Sequence, residues 1–155
     1  MHLHKFEKIW LIFGGVTLVA FIIVLAINAF SHGHHPPSDL NRVVPAMVDQ
    51  TAPFDQPGLV KKGENKYDLN MPSFAFGYAP AEQVIPLGAE VTFRTTSKDV
   101  IHGFAIPGTN VNMMVVPGHV NTATTTFTKA GEYMVICNEY CGAGHHMMMA
   151  KLVVK

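Results

Sequence analysis

Between Ile9 and Phe30 the chain runs for 22 residues without a charge, interrupted only by Gly14, Gly15, Thr17 and Asn28. A helix needs about 20 such residues to cross the hydrocarbon core of a bilayer. The run therefore reads as a transmembrane helix over residues 9–30, and whatever folds in water must come from the rest of the chain. Trp10, the only tryptophan, stands at its start, where an indole sits at headgroup depth. Lys5 and Lys8 precede the run, and the first cation after it is Arg42. The positive-inside bias then places residues 1–8 in the cytoplasm and everything after Phe30 outside the cell membrane, in a single-pass arrangement. A cleaved signal peptide would have a shorter apolar core, roughly 7–15 residues. Ala26-Ile27-Asn28-Ala29 is not a clean small-x-small cleavage site either, so the helix is expected to remain as an anchor.

Residues 31–63 differ in composition. Pro36, Pro37, Pro45, Pro53 and Pro57 are scattered among isolated charges, and the stretch is expected to be an extended linker, because proline resists both helix and ladder. His32, His34 and His35 lie here and read as solvated linker residues rather than a metal tract. From residue 64 to 155 short β-type runs alternate with turn residues. Candidate strands are Tyr67–Met71, Glu90–Thr95, Val100–Ile106, Val111–Val116, Thr122–Thr128, Glu132–Ile136 and Met147–Val154. Pro-Gly pairs at 107–108 and 117–118 punctuate them, and no long helix follows the anchor. This spacing predicts an all-β sandwich or barrel. The chain carries no net charge and no basic block, which removes electrostatic support for nucleic-acid binding.

Both cysteines fall in one loop, Cys137-Asn138-Glu139-Tyr140-Cys141-Gly142-Ala143-Gly144-His145-His146-Met147-Met148. Thiolate, imidazole and thioether are soft ligands that suit copper better than magnesium or calcium. Gly142 and Gly144 give such a loop the backbone freedom to fold several side chains onto one point. His102, on an earlier candidate strand, could be brought beside this loop by a sandwich. A Cys137–Cys141 disulfide leaves His145 and Met148 without a purpose. A Cys2His2 zinc site leaves Met148 unused. A mononuclear blue-copper site takes one cysteine and leaves the other thiolate spare. A two-copper site, with both thiolates bridging and one histidine on each metal, uses every residue.

The pattern Cys-x-x-x-Cys-x-x-x-His-x-x-Met, with Val100-Ile101-His102-Gly103-Phe104 upstream, resembles the CuA domain of subunit II of heme–copper oxidases. The short chain with one N-terminal helix is most similar to the B-type, Thermus-type branch. Also matching are Phe74-Ala75-Phe76-Gly77-Tyr78, Gly108-Thr109-Asn110 and Pro117-Gly118. The resemblance implies a cupredoxin-like Greek-key β-sandwich over residues 64–155. It implies that Cys137 and Cys141 bridge two coppers and that His102 and His145 each bind one. Met148 would be the weak axial ligand of one copper, and the backbone carbonyl of Glu139 that of the other. His146, Met147 and Met149 lack the required offset. Strand alternation would turn His146 away from His145, and Met113, Met114, Met134, Met147 and Met149 read as packing residues.

The same resemblance implies an electron-transfer subunit of a terminal respiratory oxidase. Its dinuclear copper centre would take electrons from cytochrome c and pass them to haem in the catalytic subunit I. Oxygen reduction would happen in that partner, since this chain has no haem-attachment motif and no bundle of membrane helices. A nitric oxide reductase subunit and a stand-alone tethered copper protein are the alternatives. In some relatives an acid at the position of Glu139 reaches a magnesium ion at the subunit boundary, so magnesium is a possible second metal. Phe76 falls in the segment through which electrons enter in relatives, although Phe74, Phe76 and Tyr78 would also suit one buried strand face. Six Lys and Arg balance six Asp and Glu between residues 65 and 155. A near-neutral domain predicts a mostly apolar donor contact with mild salt dependence.

Overall fold

The computed structural model describes residues 4–31 and 40–155, so His32, His34, His35, Pro36 and Pro37 lie outside the described residues. The chain divides into two compact units, residues 1–35 and 36–155. In the first, α1 spans Lys5–Ser31 and is apolar enough along its length to cross a membrane. At 1.5 Å per residue its 27 residues measure about 40 Å. It begins four residues before the uncharged run because Glu7 reaches back to accept the amide of His4 at 2.7 Å, which caps the first turn.

The second unit is a cupredoxin-like β-sandwich. One sheet orders β1 (Gly58–Gly63), β2 (Lys66–Asn70), β6 (Glu90–Thr95) and β9 (Asn121–Thr126) side by side. The other orders β5 (Glu82–Ile85), β11 (Met149–Val154), β10 (Gly131–Ile136), β7 (His102–Ala105) and β8 (Asn112–Val115). β2 runs parallel to β6 and β5 parallel to β11; the other pairings are antiparallel. β3 (Ser73–Phe74) and β4 (Gly77–Tyr78) form a separate hairpin. Alternation along each strand builds the core: Val91 and Phe93 point inward from β6, and Ala150, Leu152 and Val154 from β11. Phe93 sits at the centre, with ring centroids 5.6 Å from Phe104 and 6.3 Å from Phe127. Each such fully buried side chain contributes about 1.5–3 kcal/mol.

Three sequence expectations change here. Residues 40–63 are not merely an extended tether. Pro45 opens a 3-10 helix, Pro45–Gln50, at the position where its missing N–H costs nothing. Val43, Val48 and Phe54 bury against Val120 in a small second core, and Gly58–Gly63 supplies β1. Second, Phe74, Phe76 and Tyr78 do not share a strand face. Ala75 and Phe76 form the tip of the β3–β4 hairpin, which leaves Phe76 41% exposed while Tyr78 is buried. Third, of the methionines expected to pack, only Met113 does. Met114, Met134, Met147 and Met149 are exposed, because alternation and the turn before β11 face them outward.

Candidate metal centre

β10 and β11 hold the two ends of the cysteine loop. Cys137 directly follows β10, and its amide donates to the Met148 carbonyl at 3.3 Å, which closes the neck of the loop. The expected strand from Met147 begins only at Met149. His145–Met147 is a single 3-10 turn, whose amides at Met147 and Met148 donate to Gly144 and His145. In a 3-10 turn residues i and i+3 eclipse, so His145 and Met148 face the same way. His146 and Met147 are left exposed. That geometry, rather than strand alternation, separates His145 from His146. Gly142 has φ +127°, a conformation that side-chain-bearing residues resist, and its carbonyl accepts the His145 amide at 3.1 Å.

The donor atoms converge. Cys137 Sγ and Cys141 Sγ are 3.9 Å apart, Cys141 Sγ is 3.6 Å from His145 Nδ1, and the Met148 Sδ lies 3.7 Å from Cys141 Sγ. Cys137 Sγ is 3.1 Å from the Glu139 carbonyl oxygen. Ligand atoms of His102, Cys137 and Cys141 all lie within 4.8 Å of one another, so the sandwich does bring the distant histidine to the loop. Two sulfurs bound at about 2.3 Å to a common ion stand less than about 4.6 Å apart, and this pair satisfies that limit. Among the described residues this is the one group of three or more His, Cys, Asp or Glu placed to hold a metal; the Glu139 carboxylate belongs to none.

His102 is fully buried, and its Nδ1 has no hydrogen-bond partner. An unpaired buried nitrogen carries a desolvation penalty, which a metal at that nitrogen would relieve. Its Nε2 donates to Asp99 Oδ1 at 2.7 Å, which fixes the tautomer with the Nδ1 lone pair free. Asp99 also accepts the amides of Ala75 and Val100, each at 2.7 Å. Burial pushes the Asp99 carboxyl up, but the hydrogen bonds from His102, Ala75 and Val100 outweigh it and hold the group below the usual carboxylate range. Burial, reinforced by Cys137, pushes the Cys141 thiol up to about 11. A metal must therefore displace a proton there, so binding couples to pH. Burial also raises the Tyr78 phenol, which stays protonated and donates to the Gly103 carbonyl at 2.5 Å.

Sequence reasoning missed Asp99 and Tyr78 as supports. Asp99 had a visible signal, a carboxylate three residues before a candidate ligand. Phe76 has a definite place: a Cβ added to Gly144 would run into its ring carbons, and one on Gly142 would meet them at 3.1 Å. The ring packs against the loop's glycines. Tyr140, 81% exposed, stacks its ring at a tilt against His145, with centroids 5.8 Å apart.

Fold and site together define a cupredoxin-like domain with a soft-ligand metal centre at one end of its sandwich. The family described as the periplasmic domain of cytochrome c oxidase subunit II matches residues 65–155. Over 154 residues the chain is 45% identical to a cytochrome c oxidase subunit 2 of Thermus thermophilus, covering 97% of this chain and 92% of the relative. A chain in the cryo-EM structure of a heme-copper terminal oxidase dimer superposes with a TM-score of 0.82 at 33% identity, covering 97% of this chain and all of that one. The periplasmic domain of subunit II from Bradyrhizobium japonicum superposes over 57% of this chain and 83% of its own length, at TM-score 0.53 and 21% identity, a likeness of fold. The chain belongs to the cytochrome c oxidase subunit II family.

Proposed function

We propose that the chain is the electron-transfer subunit of a membrane-bound heme–copper oxidase, holding a dinuclear copper centre outside the membrane. The observation that carries this reading is the donor set: two cysteine sulfurs, one imidazole, one thioether and one backbone carbonyl from a single loop, joined by the His102 imidazole from β7. Cys137 and Cys141 would bridge the metals, and His102 and His145 would take one each. Met148 and the Glu139 carbonyl would serve as weak ligands at the two ends. Bound there, the copper pair supplies a one-electron redox couple.

The protein's own part is to keep that couple from reorganising. β10 and β11 fix the loop's ends, Asp99 locks the His102 ring, and the Phe76 ring covers the glycines. His102, Cys137 and Met148 are buried, while Cys141 and His145 are half-buried at the loop's outer side. A rigid shell lowers the cost of each electron exchange. Around this end Phe76, Val100, Ile101, Tyr140 and Met147 are exposed. That apolar rim suits a cytochrome c donor, with Tyr140 on the loop and Phe76 packed against its glycines, and the haem of the catalytic subunit as acceptor. The anchor helix, by the lysines at its start, would keep the copper domain on the outer side. Magnesium at Glu139 would need oxygen ligands from a partner, since among the described residues the Glu139 carboxylate joins no metal-holding group.

Purification of the native membrane complex tests the assignment. Copurification with a haem-containing polytopic subunit, and oxygen consumption with reduced cytochrome c, are expected. Turnover of nitric oxide instead of oxygen would move the chain to a nitric oxide reductase. A chain that purifies alone with its copper would be a tethered copper protein.

A further inference from the structure

Asn138, between Cys137 and Glu139, crosses over a neighbouring strand. Its Nδ2 donates to Asn112 Oδ1 at 3.0 Å, and Asn112 begins β8. The strand order is β10-β7-β8, so a residue continuing from β10 reaches β8 only by passing over β7. It passes at Gly103. A Cβ on Gly103 would collide with Asn138 Oδ1 and lie 2.5 Å from the Asn138 amide nitrogen, so only glycine permits the crossing. The crossing stands where the sheet needs it: β10 pairs with β7 only at Ile136–Ala105, and beyond that pair the two strands have no ladder. In its place the Gly103 amide donates to Cys137 Sγ at 3.3 Å, while the Gly103 carbonyl accepts the Tyr78 hydroxyl.

We propose that Asn138 and Asn112 are positioning residues: their side-chain bridge clamps the cysteine loop across β7 and holds the Gly103 amide on the Cys137 sulfur. The inference rests on the copper assignment for its consequence but not for its geometry. A hydrogen bond to a thiolate withdraws charge from sulfur, weakens its donation to the metal and stabilises the reduced centre, so it raises the reduction potential. Opening the bridge frees the loop to lift from Gly103 and lowers the potential. Neither asparagine stands out in the sequence, since neither is a soft ligand.

The test uses the full copper-loaded chain in detergent, with Asn112→Ala, Asn138→Ala and the double variant. Asn112 is exposed and lies outside the ligand loop, so its truncation leaves the ligands and the core intact. Each single variant is expected to raise the oxidised-to-reduced ratio at a fixed electrode potential about threefold. At 59 mV per decade for one electron that is a fall of about 28 mV. The sulfur-to-copper absorption bands should shift with it, and the double variant should add nothing, as two ends of one bridge require. Lower melting temperatures with unchanged potentials and spectra would overturn the proposal. So would a shift confined to Asn138→Ala, or additive shifts. Hydrogen exchange on the metal-free chain separates the two layers: Asn112→Ala should speed exchange of the Gly103 amide at least tenfold. If it does while the wild-type chain binds no copper, the clamp stands and the copper assignment falls. If exchange is unchanged, the clamp is wrong.

Discussion

Removing the Asp99 carboxylate is the sharpest perturbation that leaves every metal donor in place. In Asp99→Ala the Nε2 proton of fully buried His102 loses its acceptor, and a buried unsatisfied donor costs about 1–3 kcal/mol. The amides of Ala75 and Val100 lose theirs as well, but both residues are exposed and water can replace the carboxylate, at about 0.5 kcal/mol each. The expected loss is therefore about 2–4 kcal/mol. For a folded unit of 120 residues (36–155), at roughly 3–5 °C per kcal/mol, the melting temperature falls by about 10 °C. Copper affinity should fall about 10–100-fold, the usual cost of losing the partner that orients a ligating histidine. Asp99→Asn separates the contributions. Its carbonyl oxygen still accepts from His102, while its amide group faces the Ala75 donor, so affinity is retained better than stability. Calorimetric melting of the metal-free chain and competitive copper titration measure both. An Asp99→Ala chain that melts within about 0.5 kcal/mol of wild type and binds copper equally well would refute the reasoning.

Gly144→Ala places a methyl into the Phe76 ring, and the overpacking costs about 1–3 kcal/mol unless the ring swings off the loop. Thermal melts and faster loss of copper to a chelator should report it. Met148→Leu conserves volume and should cost less than about 1.5 kcal/mol, yet alter the copper spectrum, whereas Met147→Leu should leave the spectrum unchanged. Copper at a thousandfold excess over its dissociation constant should stabilise the folded chain by about 4 kcal/mol, and a chelator should reverse the gain. Because Lys and Arg balance Asp and Glu over residues 65–155, oxidation of reduced cytochrome c by the copper domain should slow by less than about tenfold between low and physiological salt, measured by stopped flow.

What could be read from the chain follows from how local each determinant is. Glu90–Thr95 was placed to the residue because alternation and flanking turns both act within a few positions. The cysteine loop was legible because its ligand spacing is itself the signal. His102 lies 35 residues before Cys137, so its place beside the loop depends on the sandwich and not on spacing. β1 was missed because three of its six residues are exposed and prolines crowd the stretch before it; its strand character comes from pairing with β2. Phe-Ala-Phe-Gly-Tyr alternates and so favours a strand face at Phe76, while the hairpin reversal at Ala75–Phe76 depends on the β3–β4 pairing. The methionine-rich stretch looked like core because methionine packs well. Burial is decided by which face each one occupies, and four of the five expected to pack, Met148 aside, face outward.

Electron paramagnetic resonance of the oxidised, copper-loaded chain tests for the dinuclear copper centre. With the Cys137 and Cys141 sulfurs 3.9 Å apart, the proposed dicopper centre should give hyperfine structure from one unpaired electron shared equally by two copper nuclei. Hyperfine splitting from a single copper nucleus, or a colourless protein that takes zinc in place of copper, would contradict it.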